Sequence, residues 1–395
     1  MEEKKVKVGV VGLGARGRFF CYKVNTHPFS NLVAVCDKNV NCLEIVKLKF
    51  GDRIAYFEDI EKMLEKVDID AVIVATDDPH HTEPCIKSLK YGKSVLVEKP
   101  LAQTIDDCKK IAEEVKKIDS IFMIGFEFKY SMFFKKMKEL IEKGEIGKVI
   151  IGIGIDNVSV GGNYFFRGKR GKKEYYKTLL LQKGTHSLDL FNYFVGGRPV
   201  RVFASGNLDV FGGKESKDKL CRDCERKKSC PYYVNYEYFD SGYGAKIIID
   251  DHCVYSKEVD INDNSQLLIE YDTGARVVYT ECHFTPEYTS EFTLIGEKGK
   301  MYSLYNHESD GNMSIIRVSY RHSDHIDEYK PKLSPGGHGG GDPLLIEEFL
   351  DRILKKKVHL NKKEIQSAYD SAVLAICAEE SIQKKVPIDI PLINF

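Results

Sequence analysis

The sequence predicts an α/β protein. A doubly wound parallel sheet occupies residues 1–125, and an α+β domain built on a large open antiparallel sheet occupies 126–395. Three observations lead there. The first 125 residues alternate short, continuous apolar runs with helical segments, as strands buried on both faces of a parallel sheet require. A glycine-rich turn separates the first strand from the first helix. Beyond Gly147 the apolar runs become rich in Tyr and Val and alternate with polar residues, which marks strands covered on one face only. A chain of 395 residues also exceeds what one core organises.

The elements follow in order. Strands are expected over Val6–Val11, Leu32–Cys36, Ala71–Ala75, Ser94–Val97 and Ile121–Ile124. Helices are expected over Ala15–Asn25, Ile60–Lys66, Thr82–Tyr91, Thr104–Lys117 and Met132–Lys143. The second half offers strands at Val149–Ile155, Gln266–Tyr271, Ala275–Glu281 and Glu291–Ile295. Asp272-Thr273-Gly274 reads as a hairpin turn, and Gly296–Gly299 as another. Asp342-Pro343 reads as an N-cap followed by proline at the first helical position, with Glu347 and Glu348 at the positive end. A final helix, 363–384, carries a broad apolar stripe from Ile365 to Ile376.

Composition narrows the class of function. Lys plus Arg equals Asp plus Glu at 59 each, so no global charge favours nucleic acid or an anionic membrane. No run of about 18 apolar residues suggests a membrane span. Met1-Glu2-Glu3-Lys4-Lys5 leads into a strand without an apolar stretch or cleavage site, so a cytoplasmic protein is expected. Eleven cysteines, most in apolar or helical segments, suit reduced buried thiols.

Gly12-Leu13-Gly14-Ala15-Arg16-Gly17 fits G-x-G-x-x-G between a strand and a helix. Such glycines permit a tight turn, let backbone N–H groups approach a pyrophosphate, and let helix and strand pack closely. Asp37 ends the next strand, twenty residues beyond Gly17. A carboxylate there accepts bonds from ribose hydroxyls and repels a 2′-phosphate, which favours NAD over NADP. Thr76-Asp77-Asp78-Pro79-His80-His81 follows the Ala71–Ala75 strand at the carboxyl edge of the sheet, so Thr76, Pro79 and His81 are expected to line the cofactor. Glu98-Lys99-Pro100 ends a further parallel strand. An ammonium there stabilises an alkoxide as hydride departs, and a cis bond at the proline aims it sideways.

In combination these segments resemble the Gfo/Idh/MocA oxidoreductase family. The resemblance includes Tyr91–Pro100, Gly125-Phe126-Glu127-Phe128-Lys129-Tyr130 and Gly144–Val149, and runs essentially the full length. It implies a Rossmann domain, an open antiparallel sheet domain, and a C-terminal helix returning to the first domain. It also implies that Glu98 secures the nicotinamide ribose. The family's second motif, an Asp four residues before a His, falls on Leu181–Asp189. His186 there matches the general base, Gln182 replaces the Asp, Lys183 adds a cation, and Asp189 matches a trailing acid that binds a substrate hydroxyl or orients the imidazole. Lys99 and His186 are the expected catalytic pair. Glu127 and Lys129 stand where the family often has Asn and Arg, and fall outside that set.

Two features lie outside the common core. Cys221, Cys224 and Cys230 form C-x2-C-x5-C, which holds structural zinc if Cys253, or failing that His252, supplies a fourth ligand; a reduced loop without metal is the other reading. A subset of the family resembles this loop. The run from Gly336 to Asp342 carries one polar side chain of reach, His338, which is expected on the substrate side or in a linker. The resemblance implies an NAD-dependent oxidoreductase taking hydride from a hydroxyl of a sugar, polyol or glycoside, working as a homo-oligomer without nucleic acid or membrane. Two alternatives stay open: glycoside cleavage through transient ring oxidation and elimination, and a non-catalytic nucleotide sensor.

Overall fold

The computed structural model describes residues 5–234, 239–240, 246–247, 250–308, 313–355 and 362–393; the reading of residues 1–4 lies outside them. The first domain contains β1 (Val6–Val11), α1 (Ala15–Thr26), β2 (Ser30–Cys36), α2 (Val40–Phe50), β3 (Ala55–Phe57), α3 (Ile60–Lys66), β4 (Ala71–Val74), α4 (Thr82–Lys90), β5 (Ser94–Glu98), α5 (Ile105–Val115) and β6 (Phe122–Gly125). Its strands form one parallel sheet in the order β3-β2-β1-β4-β5-β6. The order reverses between β1 and β4, and ligands bind outside the carboxyl ends of strands at such a point. Helix α2 had no counterpart in the sequence reading. It begins at Asn39, whose side chain accepts from the Asn41 N–H at 3.0 Å, a cap that an apolar-run search passes over.

The second domain follows α6 (Met132–Glu142) with β7 (Val149–Val158), α7 (Thr185–Val195), β8 (Pro199–Asn207), β9 (Asn264–Tyr271), β10 (Arg276–Cys282), β11 (Tyr288–Gly296), β12 (Gly299–Asn306), β13 (Ile315–Tyr320) and β14 (Ile326–Tyr329). The chain closes with α8 (Gly341–Leu354), α9 (Lys362–Lys384) and β15 (Ile388–Asp389). The nine strands run in the order β14-β13-β12-β11-β7-β10-β9-β8-β15. Every pairing is antiparallel except β7 with β10 at the centre, so the sheet is mixed rather than purely antiparallel.

One strand explains why the sheet is covered on one face only. Along β7, Ile151, Ile153 and Ile155 point outward and are exposed, while Gly152 and Gly154 point inward. The inward glycines make room for Phe191 of α7: a Cβ on Gly154 would lie 2.5 Å from its ring. Outward residues continue as a row across paired strands, Phe203–Leu268–Val278–Ile153, all exposed and apolar.

The two closing helices divide their work. Leu345, Ile346, Phe349 and Leu350 of α8 join the core that holds β1 and α1. Helix α9 carries Ala368, Tyr369, Ala372 and Ala375 into the core shared by the other face of the parallel sheet and the covered face of the large sheet. Small residues let it lie close, and Arg198 grips Asp370 through two bonds of 2.8 Å.

Phe191→Ala is expected to cost about 3–5 kcal/mol by leaving a cavity. Gly154→Ala should cost about 1–3 kcal/mol by overfilling the same space. Denaturant midpoints measure both, and a neutral Gly154→Ala would show that the ring slides freely.

Candidate functional site

The three glycines of the first turn have three different surroundings. Gly12 has φ +86°, and a Cβ there would lie 2.5 Å from the Thr76 nitrogen, so only glycine fits this turn. A Cβ on Gly17 would meet the Gly12 oxygen at 1.7 Å, which fixes how closely α1 seats on the turn. Gly14 faces open space, with nothing within 4 Å of a Cβ. That open face lies at the N-terminus of α1, where unpaired N–H groups and the helix dipole attract an anion. The turn therefore fits a dinucleotide pyrophosphate. Asp37 accepts from the Leu13 N–H at 2.6 Å and the Asn39 N–H at 2.8 Å, which sets its carboxylate beside the turn.

His81 is fully buried. Its Nδ1 lies 2.7 Å from the Pro100 oxygen and its Nε2 3.1 Å from the Thr76 oxygen. The ring thus couples the Thr76 turn to the Lys99-Pro100 peptide, which is cis. Both ring nitrogens being engaged, His81 positions these two segments. Thr76 Oγ1 is buried without a protein partner.

Lys99 donates to the Gln182 carbonyl at 2.5 Å. That carbonyl belongs to a wide, π-helical turn, Leu180–Gly184, which leads directly into α7. The sequence reading placed Gln182 and His186 one α-helical turn apart; the wide turn replaces that register. His186, buried, opens α7 with its Nδ1 unpartnered, 3.8 Å from Glu127 Oε2. Burial and then the neighbouring Lys99 ammonium push His186 well below the usual imidazole range, so its ring is neutral.

Lys183 turns to the other side, its Nζ 3.6 Å from buried Asp156. Burial opposes the Lys183 charge, but Asp156, Tyr288 and Glu281 together outweigh it and raise its pKa. Asp156 also accepts from Ser187 at 2.7 Å, Tyr279 at 2.6 Å and Ser290 at 2.5 Å. Asp189 is bonded to Lys129 at 2.7 Å and to Ser367 of α9 at 2.8 Å, so it ties α7 to the closing helix.

The glycine run brings a fourth segment in. His338 lies 5.4 Å, ring to ring, from His186, and its Nδ1 is 3.1 Å from Asp342. Asp342 is not the N-cap of α8: that place falls to Gly340, φ +81°, and the Asp342 carboxylate turns back toward His338 and Arg16. A left-handed glycine displaces the cap from where the Asp-Pro pair suggests it. Burial opposes charge on His338, but Glu127 and Asp342 hold its pKa above the ordinary value.

Arg16 gathers the whole. Its guanidinium lies 2.6 Å from Glu98, 2.7 Å from Glu127 and 2.9 Å from Asp342. Burial pushes Glu127 up to about 7, with Glu98 and Asp342 adding to the rise against His338 and Arg16. Phe128 packs between three imidazoles, at 4.9 Å from His186, 5.4 Å from His338 and 5.7 Å from His307.

The sequence reading set Glu127 aside and gave no role to Phe128, Asp156 or His307. Glu127 follows β6 at the sheet's carboxyl edge, and that position was the available signal. The four cysteines that the sequence reading grouped lie together. Cys221, Cys224, Cys230 and Cys253 line one small pocket as free thiols, while the alternative ligand His252 is engaged by Asp250 at 2.7 Å. Among the described residues, the group of His, Cys, Asp or Glu atoms close enough to share one ion is Glu127, His186 and His338, not this loop. Among the described residues no helix is long and apolar enough to cross a membrane.

Comparison with known proteins agrees with this architecture. Residues 6–126 match the model of the oxidoreductase family with an NAD-binding Rossmann fold, and residues 134–302 match the GFO/IDH/MocA C-terminal domain. YteT of Bacillus subtilis (strain 168) is 28% identical, the match covering 95% of this chain and 96% of YteT. Myo-inositol 2-dehydrogenase of Thermotoga maritima is 30% identical over 52% of this chain and 59% of its own length. A structure of levoglucosan dehydrogenase with NADH and levoglucosan superposes with a TM-score of 0.75 over 98% of this chain and 100% of that one, at 18% identity, a likeness of fold.

Two glycine variants separate folding from binding. Gly17→Ala should lower thermal stability, because its Cβ meets backbone at 1.7 Å. Gly14→Ala should leave the melting temperature unchanged and weaken NAD about tenfold or more, a loss above 1.4 kcal/mol. Calorimetry reads both, and unchanged NAD affinity in Gly14→Ala would remove the pyrophosphate from this turn. With both of its domains matched, the chain belongs to the GFO/IDH/MocA oxidoreductase family.

Proposed function

We propose that this protein oxidises a hydroxyl of a sugar, polyol or glycoside, with NAD as hydride acceptor. The observation that carries the reading is the meeting of Lys99 and His186, from two domains, at the carboxyl edge of the nucleotide sheet. Inositol and levoglucosan dehydrogenases among the similar proteins support the substrate class.

In this reading the Gly12-Gly14-Ala15-Arg16-Gly17 turn holds the pyrophosphate, and Asp37 binds the adenosine ribose and disfavours a 2′-phosphate. The Thr76 and Pro79 turn, fixed by His81, walls the cofactor, and Glu98 secures the second ribose. When bound, NAD supplies a hydride acceptor. Lys99 donates a hydrogen bond to the substrate oxygen and stabilises its negative charge as the C–H bond breaks. Neutral His186 accepts the hydroxyl proton on its basic nitrogen. Gln182 cannot take a proton, so its amide serves as a hydrogen-bonding wall with Lys183 behind it. A second reading, glycoside cleavage by transient oxidation and elimination, is favoured by His338. Its imidazole, held by Asp342, stands 5.4 Å from His186 and offers a separate donor for a departing oxygen.

A panel of inositols, monosaccharides and glycosides with NAD and NADP, read for NADH absorbance and for bond cleavage, tests both. Net NADH favours the dehydrogenase; cleavage without it favours elimination; neither with any member would return the chain to a sensing role. His186→Ala should lower kcat by about 10²–10⁴-fold while NAD affinity holds. Unchanged turnover would remove His186 from the reaction.

The outward apolar row on the large sheet supports a homo-oligomer through that face. Leu268→Lys should shift the protein toward the monomer in sedimentation velocity. An unchanged profile would place the interface elsewhere.

A further inference from the structure

Three side chains from three separate segments converge in the site with more ligand capacity than the hydride reaction uses. Glu127 comes from the turn after β6, His186 from the start of α7, and His338 from the glycine run before α8. One ligand atom from each lies within 4.8 Å of the other two. Glu127 Oε2 and His186 Nδ1 are buried, 3.8 Å apart, and neither has a hydrogen-bond partner. A buried carboxylate oxygen and a buried imidazole nitrogen left bare in the same space point to something that binds both.

The outer contacts are those a metal site needs. Glu127 keeps its Oε1 on Arg16 at 2.7 Å, which leaves Oε2 turned inward. Asp342 accepts at His338 Nδ1, 3.1 Å away, and a proton on Nδ1 leaves the basic lone pair on Nε2. A carboxylate fixing the far nitrogen of an imidazole is the usual support for a ligating histidine. Charge agrees: three buried or nearly buried carboxylates, Glu98, Glu127 and Asp342, share the single Arg16 guanidinium. A tetrahedral ion with bonds near 2.0–2.2 Å needs ligand atoms about 3.4 Å apart. Glu127 and His186 are close to that, and the remaining contraction falls on His338. The His338 side chain is 32% exposed, against 4% for His186 and 1% for Glu127, so of the three it has the most room to move.

We infer that Glu127 Oε2, His186 Nδ1 and His338 Nε2 form a site for one divalent transition-metal ion of the zinc class, and that filling it silences the hydride reaction. Two imidazole nitrogens and one carboxylate oxygen, with room for further ligands, suit zinc or cobalt rather than magnesium or calcium. Silencing rests on the function proposed above and follows from the lone pair. Neutral imidazole has one basic nitrogen; once Nδ1 ligates an ion, Nε2 carries the proton and His186 has nothing left to accept with.

The test is cobalt titration of the full-length protein without nucleotide, followed by visible absorbance and calorimetry. One equivalent should bind and give ligand-field bands without thiolate-to-cobalt charge transfer, which separates this site from the cysteine loop. Glu127→Gln and His338→Ala should each weaken cobalt at least tenfold, and Asp342→Asn about 10–100-fold as an outer-contact change. His338 lies on a partly exposed loop, so that variant tests the site even if Glu127→Gln folds poorly. Thiolate charge transfer, or cobalt affinity unchanged in His338→Ala, overturns the site. Zinc should also abolish NADH formation reversibly, with a chelator restoring it. Cobalt bound as described in a protein that oxidises no polyol would keep the site and remove the hydride reading. Full activity with zinc bound would overturn the silencing.

Discussion

One guanidinium holds the reaction space together. Arg16 rises from the glycine turn at the start of α1 and meets carboxylates from the end of β5, the turn after β6 and the first turn of α8. Those three segments are distant in sequence and belong to both halves of the chain. Arginine suits the task because its planar fork serves several oxygens at once and stays charged under burial. The cost of burying three acids beside one cation is met in part by Glu127, which rises to about 7. Loss of any one acid would leave the others with a partner, whereas loss of Arg16 would leave three carboxylates facing one another.

Five of the six strands of the parallel sheet were legible as apolar runs punctuated by turn residues, and the three-residue edge strand β3 was too short to show. The glycine turn was legible because each glycine answers a separate geometric demand, and Gly12, Gly14 and Gly17 keep those demands distinct. That Lys99 and His186 come together was legible through motif order rather than spacing. What escaped was polar chemistry hidden in apolar context. Asp156 ends a run of alternating Ile and Gly, and its network with Ser187, Tyr279 and Ser290 draws on α7 and two other strands. Nothing local marks such a residue, since its partners lie far away along the chain. Asp342 misled for the opposite reason. Asp-Pro is a sound local cap signal, and tertiary attraction to Arg16 and His338 overrode it.

The large sheet shows how composition encodes coverage. Its inward glycines on β7 admit an aromatic ring from α7, and its outward isoleucines extend into an apolar row. The same alternation therefore sets both the depth at which α7 sits and the character of the opposite face. Depth matters to the site, because α7 carries His186 at its first turn. A helix seated farther from the sheet would withdraw that imidazole from Lys99.

The wide turn at Leu180–Gly184 gives the site an unusual dependence on chain length. Each residue of an α-helix turns by about 100°. A π-helical turn accommodates an extra residue before α7 begins without disturbing the helix beyond it. Lys99 reads the turn through a backbone carbonyl rather than a side chain. The hold on this segment is therefore indifferent to which residue occupies position 182, yet strict about how many residues precede His186. A change of residue type at that position alters the side chain presented there and leaves the backbone anchor intact. Insertion or deletion is the change this part of the molecule is least able to absorb.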